Sequence, residues 1–212
     1  MPCPPRRRRL PPDPAVTFWG SAPDPWLADA LPAADDSLGG VTTPPFPPVS
    51  ETDLAVLCAQ LGRPARGVVG IAARCSCGNP TVAATAPRLA DGTPFPTFYY
   101  LTHPAATAAM SGLESTQVMR SLSDELAADP EIGDAYLRAH EAYLHDRSGF
   151  GDVAEIHGIS AGGMPTRVKC LHALAAHSLA AGPGVNPIGD RALALSSWSP
   201  DRCVCADPGG AA

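Results

Sequence analysis

Between Ser160 and Asp190 the chain reads SAGGMPTRVKCLHALAAHSLAAGPGVNPIGD, a stretch that sets a glycine pair, two cations, a cysteine and two histidines on or beside one helical pattern. Thiols and imidazoles bind metals or move protons near neutral pH, and a guanidinium beside an ammonium holds anions. Three chemistries are therefore open. The first is a metal site drawn from Cys75, His140, Cys170 and one of His172 or His177, a thiolate and imidazole set suited to zinc or iron. These ligands are scattered, with no C-x-x-C or H-x-x-x-H spacing, so a loop cysteine and two helices would have to assemble them. The plain alternative is that the cysteines are small buried apolar residues and the histidines hydrogen-bonded core residues.

The second chemistry is an anion site at Gly162, Gly163, Arg167 and Lys169. A helix N-terminus offers unpaired N–H groups and partial positive charge, and glycines let a ligand approach the backbone. The order GxxxxGK[ST] of a nucleotide-binding loop is absent, and the bland reading is a flexible turn followed by solvated cations. The third is proton transfer by His140 with Glu141, helped by His103, or a Cys170 nucleophile with a histidine base such as His172. Adjacent helical residues diverge by about 100°, so His140 and Glu141 would not orient each other. An aromatic-rich packing face around Tyr136 and His140 is the alternative. Asp91 and Asp190 sit in turn-rich segments, where structural punctuation is the leading reading.

The helix that must position most of these groups is expected to start at Pro165, which suits a first helical position, and to run to Ala181 before Gly182 and Pro183 stop it. On that helix Cys170 and His177 share a stripe, whereas Cys170 and His172 lie roughly 200° apart and cannot both face one ion. The helix is thus no zinc motif by itself.

Upstream, a helix from Asp53 to about Leu61 is expected, capped by Thr52, followed by strands at Gly67–Arg74, Thr81–Ala86 and Thr97–Leu101. Helices then take over: from His103 and Pro104 to Leu113, from Gln117 to Ala127, from Pro130 through EIGDAYLRAHEAYLHDR, and a last short one over Asp190–Ser196. Strands first and helices after predict an α+β fold, a small antiparallel sheet of about three strands covered by a C-terminal set of helices. Residues 1–50 carry thirteen of the twenty-five prolines and are expected to be a disordered tail, with Phe18, Trp19 and Trp26 as anchors for a partner or as idle residues. Residues 51–197 then form a single domain, and 198–212 a flexible C-terminal tail.

The net charge of −6 leaves no basic footprint for nucleic acid. One lysine against fourteen arginines reads as high-GC codon usage. No apolar run reaches membrane-spanning length, and Arg6–Arg9 lack the apolar core of a signal peptide, so a cytoplasmic protein is expected. Seven cysteines, odd in number and widely spread, do not form a disulfide framework.

The blocks RCSCGNPTV, PRLADGTPFPTFYYLTHP, Leu113–Glu114, AYLRAHEAYL, GGMPTRVKCLHALAAHSLAAG and NPIGD together resemble the bacterial, mostly actinobacterial, domain-of-unknown-function family 501, over about residues 52–195. The resemblance implies a cytosolic protein whose gene neighbours encode a septum-formation-initiator-like protein and an exopolyphosphatase-like enzyme. Its matching polar positions here are Cys75, His103, His140, Glu141, Arg167, Lys169, Cys170, His172, His177, Asn186 and Asp190. Cys77 stands where the family often carries another residue, which argues against a scheme requiring Cys75 and Cys77 as a pair. Cys203 and Cys205 lie beyond the resemblance.

Two functions stay open. One is the binding of a small anionic ligand, a metal or both, with or without catalysis, in a pocket beside the Pro165–Ala181 helix. The other is a non-enzymatic interaction module whose protein partner serves cell division or envelope growth.

Overall fold

The computed structural model describes residues 46–205. The expected anchors Phe18, Trp19 and Trp26, and the expected tail up to residue 45, lie outside the described residues. The elements are α1 (Glu51–Leu61), β1 (Val68–Arg74), β2 (Pro80–Thr85), β3 (Tyr99–Leu101), α2 (Pro104–Glu114), α3 (Val118–Ala128), α4 (Pro130–Ser148), α5 (Leu171–Ala181) and α6 (Pro187–Leu195), with one 3-10 turn at Ala154–Ile156. This is the expected α+β architecture, a three-stranded antiparallel sheet in the order β1-β2-β3 with most helices C-terminal to it.

All six residues of β2 are buried, as befits a central strand covered on both faces. Its side chains alternate between two cores. Ala83 joins Leu57 and Ile71 beneath α1. Val82 and Ala84 face the larger core, with Tyr99, Met110, Tyr136, Tyr143, Leu171, Leu174 and Ile188. Three helices begin on the same local device, a polar N-cap followed by proline: His103–Pro104, Asp129–Pro130 and Asn186–Pro187. Proline lacks an N–H that would go unpaired there, and the preceding side chain caps the next free donors.

Helix α5 is the hub, packing against β3, α2 and α6. Seven of its residues are buried, among them Leu171, Leu174, Ala175 and His177, so it is apolar nearly all round. α6 crosses it at Gly189, where an added Cβ would press into the Leu174 carbonyl and the Ser178 hydroxyl. Opposite, Tyr99 stacks on His177 at 5.6 Å and meets Tyr143 edge-on at 5.6 Å. The Tyr143 hydroxyl accepts the buried Phe98 N–H at 2.5 Å. Arg147, 6% exposed, donates to the carbonyls of Pro96, Ile156 and Ile159 and so ties the long loop after α4 to the loop before β3.

Several expected boundaries move. α1 is capped by Ser50, not Thr52, through a reciprocal capping box with Asp53. α6 starts at Pro187, three residues before Asp190. The largest correction is α5, which starts at Leu171 and not at Pro165. Gly162 and Gly163 take φ of +73° and +98°, and their carbonyls accept the N–H groups of Lys169, Cys170 and Arg167. That turn folds residues 164–169 back on themselves and sends Met164 and Val168 into the core instead of up a helix. Residues 198–205, expected as part of a flexible tail, run back over the domain. Trp198 is 6% exposed, and its ring packs on His103 at 5.5 Å. Phe46, also in an expected tail, stacks on Phe150 at 6.0 Å.

Candidate metal centre

The β1–β2 hairpin turns through Cys75-Ser76-Cys77-Gly78. The Gly78 N–H donates to the Cys75 carbonyl at 2.7 Å, the Cys75 N–H donates to the Asn79 carbonyl at 2.9 Å, and Gly78 sits at φ +87°, a left-handed value that glycine adopts without strain. This tight turn carries two thiols, Cys75 buried and Cys77 exposed. From the other end of the domain, buried Trp198 anchors a segment that turns at Ser199–Arg202 and delivers Cys203 and Cys205 to the same spot.

The sulfurs of Cys75, Cys77, Cys203 and Cys205 all lie within 4.8 Å of one another. Cys77 and Cys205 are 3.4 Å apart, well beyond the roughly 2.05 Å of a disulfide. Four thiolates at about 2.3 Å from a central zinc stand about 3.8 Å from each other, so this set fits a tetrahedral tetrathiolate centre.

The surroundings act on the thiols in opposite directions. The Asn79 N–H is the largest influence on Cys77 and brings its thiol down to about 7. Burial pushes Cys205 up to about 12. A divalent cation inverts that balance, because a coordinating thiol is deprotonated outright. His103 supplies a directed hydrogen bond. Its Nδ1 accepts the Ala106 N–H at the start of α2, so the proton is on Nε2, which points at the Cys205 sulfur from 3.2 Å. Burial lowers the His103 pKa and keeps the ring neutral. A neutral imidazole donating N–H to a metal-bound sulfur both orients and tunes the ligand.

A second group of ligand atoms lies at the α2–α5 junction, where Glu114, Cys170 and His172 also come within 4.8 Å of one another. Among the described residues, the expected metal candidates Cys75, His140, Cys170 and His177 do not form one cluster. Cys75 is at the hairpin tip and Cys170 at the N-cap of α5. His140 pairs with the Ser160 hydroxyl at 2.8 Å. His177 is fully buried against Tyr99 and Tyr143, bonded to Asn186 at 3.1 Å and held neutral by burial, which takes its pKa down to about 4. Glu141, Arg167 and Lys169 are exposed. A Cβ at Gly162 would strike the Leu174 side chain, and one at Gly163 the Arg167 carbonyl, so these glycines make room for the chain itself. The positive end of α5 is at Leu171, whose N–H is taken by the Glu114 carboxylate at 2.6 Å. Asp91 and Asp190 cap turns through the N–H groups of Thr93 and Gly184.

The sequence alone does not single out Cys77, Cys203 and Cys205 as metal ligands. Their signal was legible as two C-x-C pairs, but the second pair fell in a segment with no local reason to fold back.

No helix among the described residues is long and apolar enough to cross a membrane. No curated protein and no solved structure matches the chain. A family model described as "Protein of unknown function (DUF501)" matches residues 71–194, which span β1 to α6 and stop short of Cys203 and Cys205. That match covers more than half of the 212 residues, and the chain belongs to the DUF501 family.

Proposed function

We propose that this protein is a zinc-binding α+β domain in which Cys75, Cys77, Cys203 and Cys205 hold the ion and His103 orients Cys205. The observation that carries this reading is the convergence of two C-x-C pairs, 128 residues apart at Cys77 and Cys205, on one point of the surface. Packing needs no such arrangement, since Cys77 and Cys203 are exposed and bury nothing. A closed four-thiolate set with no open position is the structural type of zinc site. Its role is to fasten the C-terminal segment, with Trp198, across the hairpin tip and the start of α2. A tetrathiolate centre needs its thiols reduced, which is in keeping with the expected cytoplasmic location. The expected anionic ligand is not part of this reading, because Glu114 already occupies the N-terminus of α5.

The test is elemental analysis of the full chain, purified under reducing conditions and dialysed against metal-free buffer. Zinc is expected, and its content should fall by about one per chain in Cys77→Ser and in Cys205→Ser. Iron in place of zinc would overturn the metal assignment. A metal content unchanged in both variants would overturn the site.

A further inference from the structure

On a regular helix Cys170 and His172 diverge, yet here they meet. Cys170 is the extended N-cap of α5, with φ −148° and ψ 107°, and this brings its sulfur to 4.0 Å from the Nδ1 of His172. Glu114, the last residue of α2, places Oε1 3.1 Å from the same Nδ1. Three ligand atoms of three chemical types thus face one another across two helix ends.

We propose that Glu114, Cys170 and His172 form a second divalent-metal site, distinct from the tetrathiolate centre and open at a fourth position. The setting of His172 supports it. Nε2 donates to the Thr107 carbonyl at 3.1 Å, which leaves Nδ1 turned toward Glu114 and Cys170, and a metal there would take the place of the proton that Nδ1 shares with the Glu114 carboxylate at 3.1 Å. An imidazole whose outer N–H is pinned to a backbone carbonyl while the inner nitrogen faces a carboxylate and a thiol is the arrangement found behind metal-bound histidines. The ligand set is mixed, one sulfur, one nitrogen and one carboxylate oxygen, as in zinc sites that keep a water or an exogenous ligand. The side chains of His172 and Glu114 are each 26% exposed, so the fourth position opens to solvent. Unlike the hairpin centre, this group lies wholly within the residues matched by the family model.

The experiment is a cobalt(II) titration of the full-length, reduced, metal-free chain, followed by absorption. Two equivalents are expected to bind, one with the strong thiolate-to-cobalt band of four sulfurs and one with the weaker band of a single sulfur. Cys170→Ser should abolish the weaker band, and His172→Asn should remove the second equivalent at cobalt concentrations that saturate the wild type. Glu114→Gln should weaken that equivalent too. It keeps an oxygen for the Leu171 N–H, so α5 stays capped, and circular dichroism reads that directly. Saturation of the wild type at one four-sulfur equivalent would overturn the proposal, as would a second equivalent indifferent to Cys170→Ser and His172→Asn. Should the four-sulfur band be missing while a Cys170-dependent equivalent binds, the tetrathiolate reading fails and this one stands.

Discussion

Removing the metal from the hairpin centre is expected to lower stability by an amount set by chain connectivity. The fold sets Cys77 and Cys205 side by side, although 128 residues separate them in sequence. An unfolded chain must close that loop itself to offer the same four sulfurs, so zinc binds the folded state more tightly by the closure free energy. For a separation of that length the loop-entropy relation gives about 5 kcal/mol at 25 °C, a ceiling reached when zinc is saturating. For a chain of this size that corresponds to roughly 10–20 °C in melting temperature. The assay is a thermal melt of the reduced protein with excess zinc and with a strong chelator, alongside Cys205→Ser. Zinc should raise the wild-type midpoint and leave the variant near the chelated wild type. A zinc response of a degree or two, or an equal response in Cys205→Ser, would refute the reasoning that the ion bridges these two segments.

Asp53 caps α1 and pairs with Arg74 at 2.6 Å, and the Arg74 hydrogen bond holds its carboxyl down at about 2. A depressed carboxyl stabilises the fold above its unfolded pKa of 3.8, and this is lost as the pH falls toward 2. Asp53→Asn should cost about 1 kcal/mol at neutral pH after screening by solvent around Arg74, with the difference from wild type closing between those two values in acid denaturation curves. Tyr143→Phe leaves the buried Phe98 N–H without its acceptor, and chemical denaturation should show a loss of about 1–3 kcal/mol. Gly189→Ala drives a methyl into the Leu174 carbonyl where α6 crosses α5, and should cost about 1–3 kcal/mol or more in the same assay, although alanine favours an isolated helix.

The elements with strong local signals were legible in the sequence. Pro104 and Pro130 mark true helix starts, because a proline after a capping residue fits nothing else as well. The three strands came from short β-branched and apolar runs bounded by turns, although β3 is only three residues long. Pro165 carried the same signal and misled, since the backbone hydrogen bonds from Gly162 and Gly163 turn residues 164–169 into a loop. That displacement also hid the Cys170–His172 approach, which a helical Cys170 could not make. The hairpin centre was half legible. Cys75 and Cys77 announce a turn with two thiols, but only tertiary structure brings Cys203 and Cys205 back to it.

The long reach of the hairpin centre has a kinetic consequence. Contacts between residues far apart in sequence form late, after nearer pairings have shortened the effective loop. The Cys77–Cys205 approach spans most of the domain and should be absent from the folding transition state. An interaction absent from that state leaves the folding rate alone and slows unfolding by its full free energy. In stopped-flow experiments zinc should therefore leave the refolding limb in place and depress the unfolding limb. The ion would act as a latch on a domain already folded, setting how long the native state lasts more than how quickly it is reached.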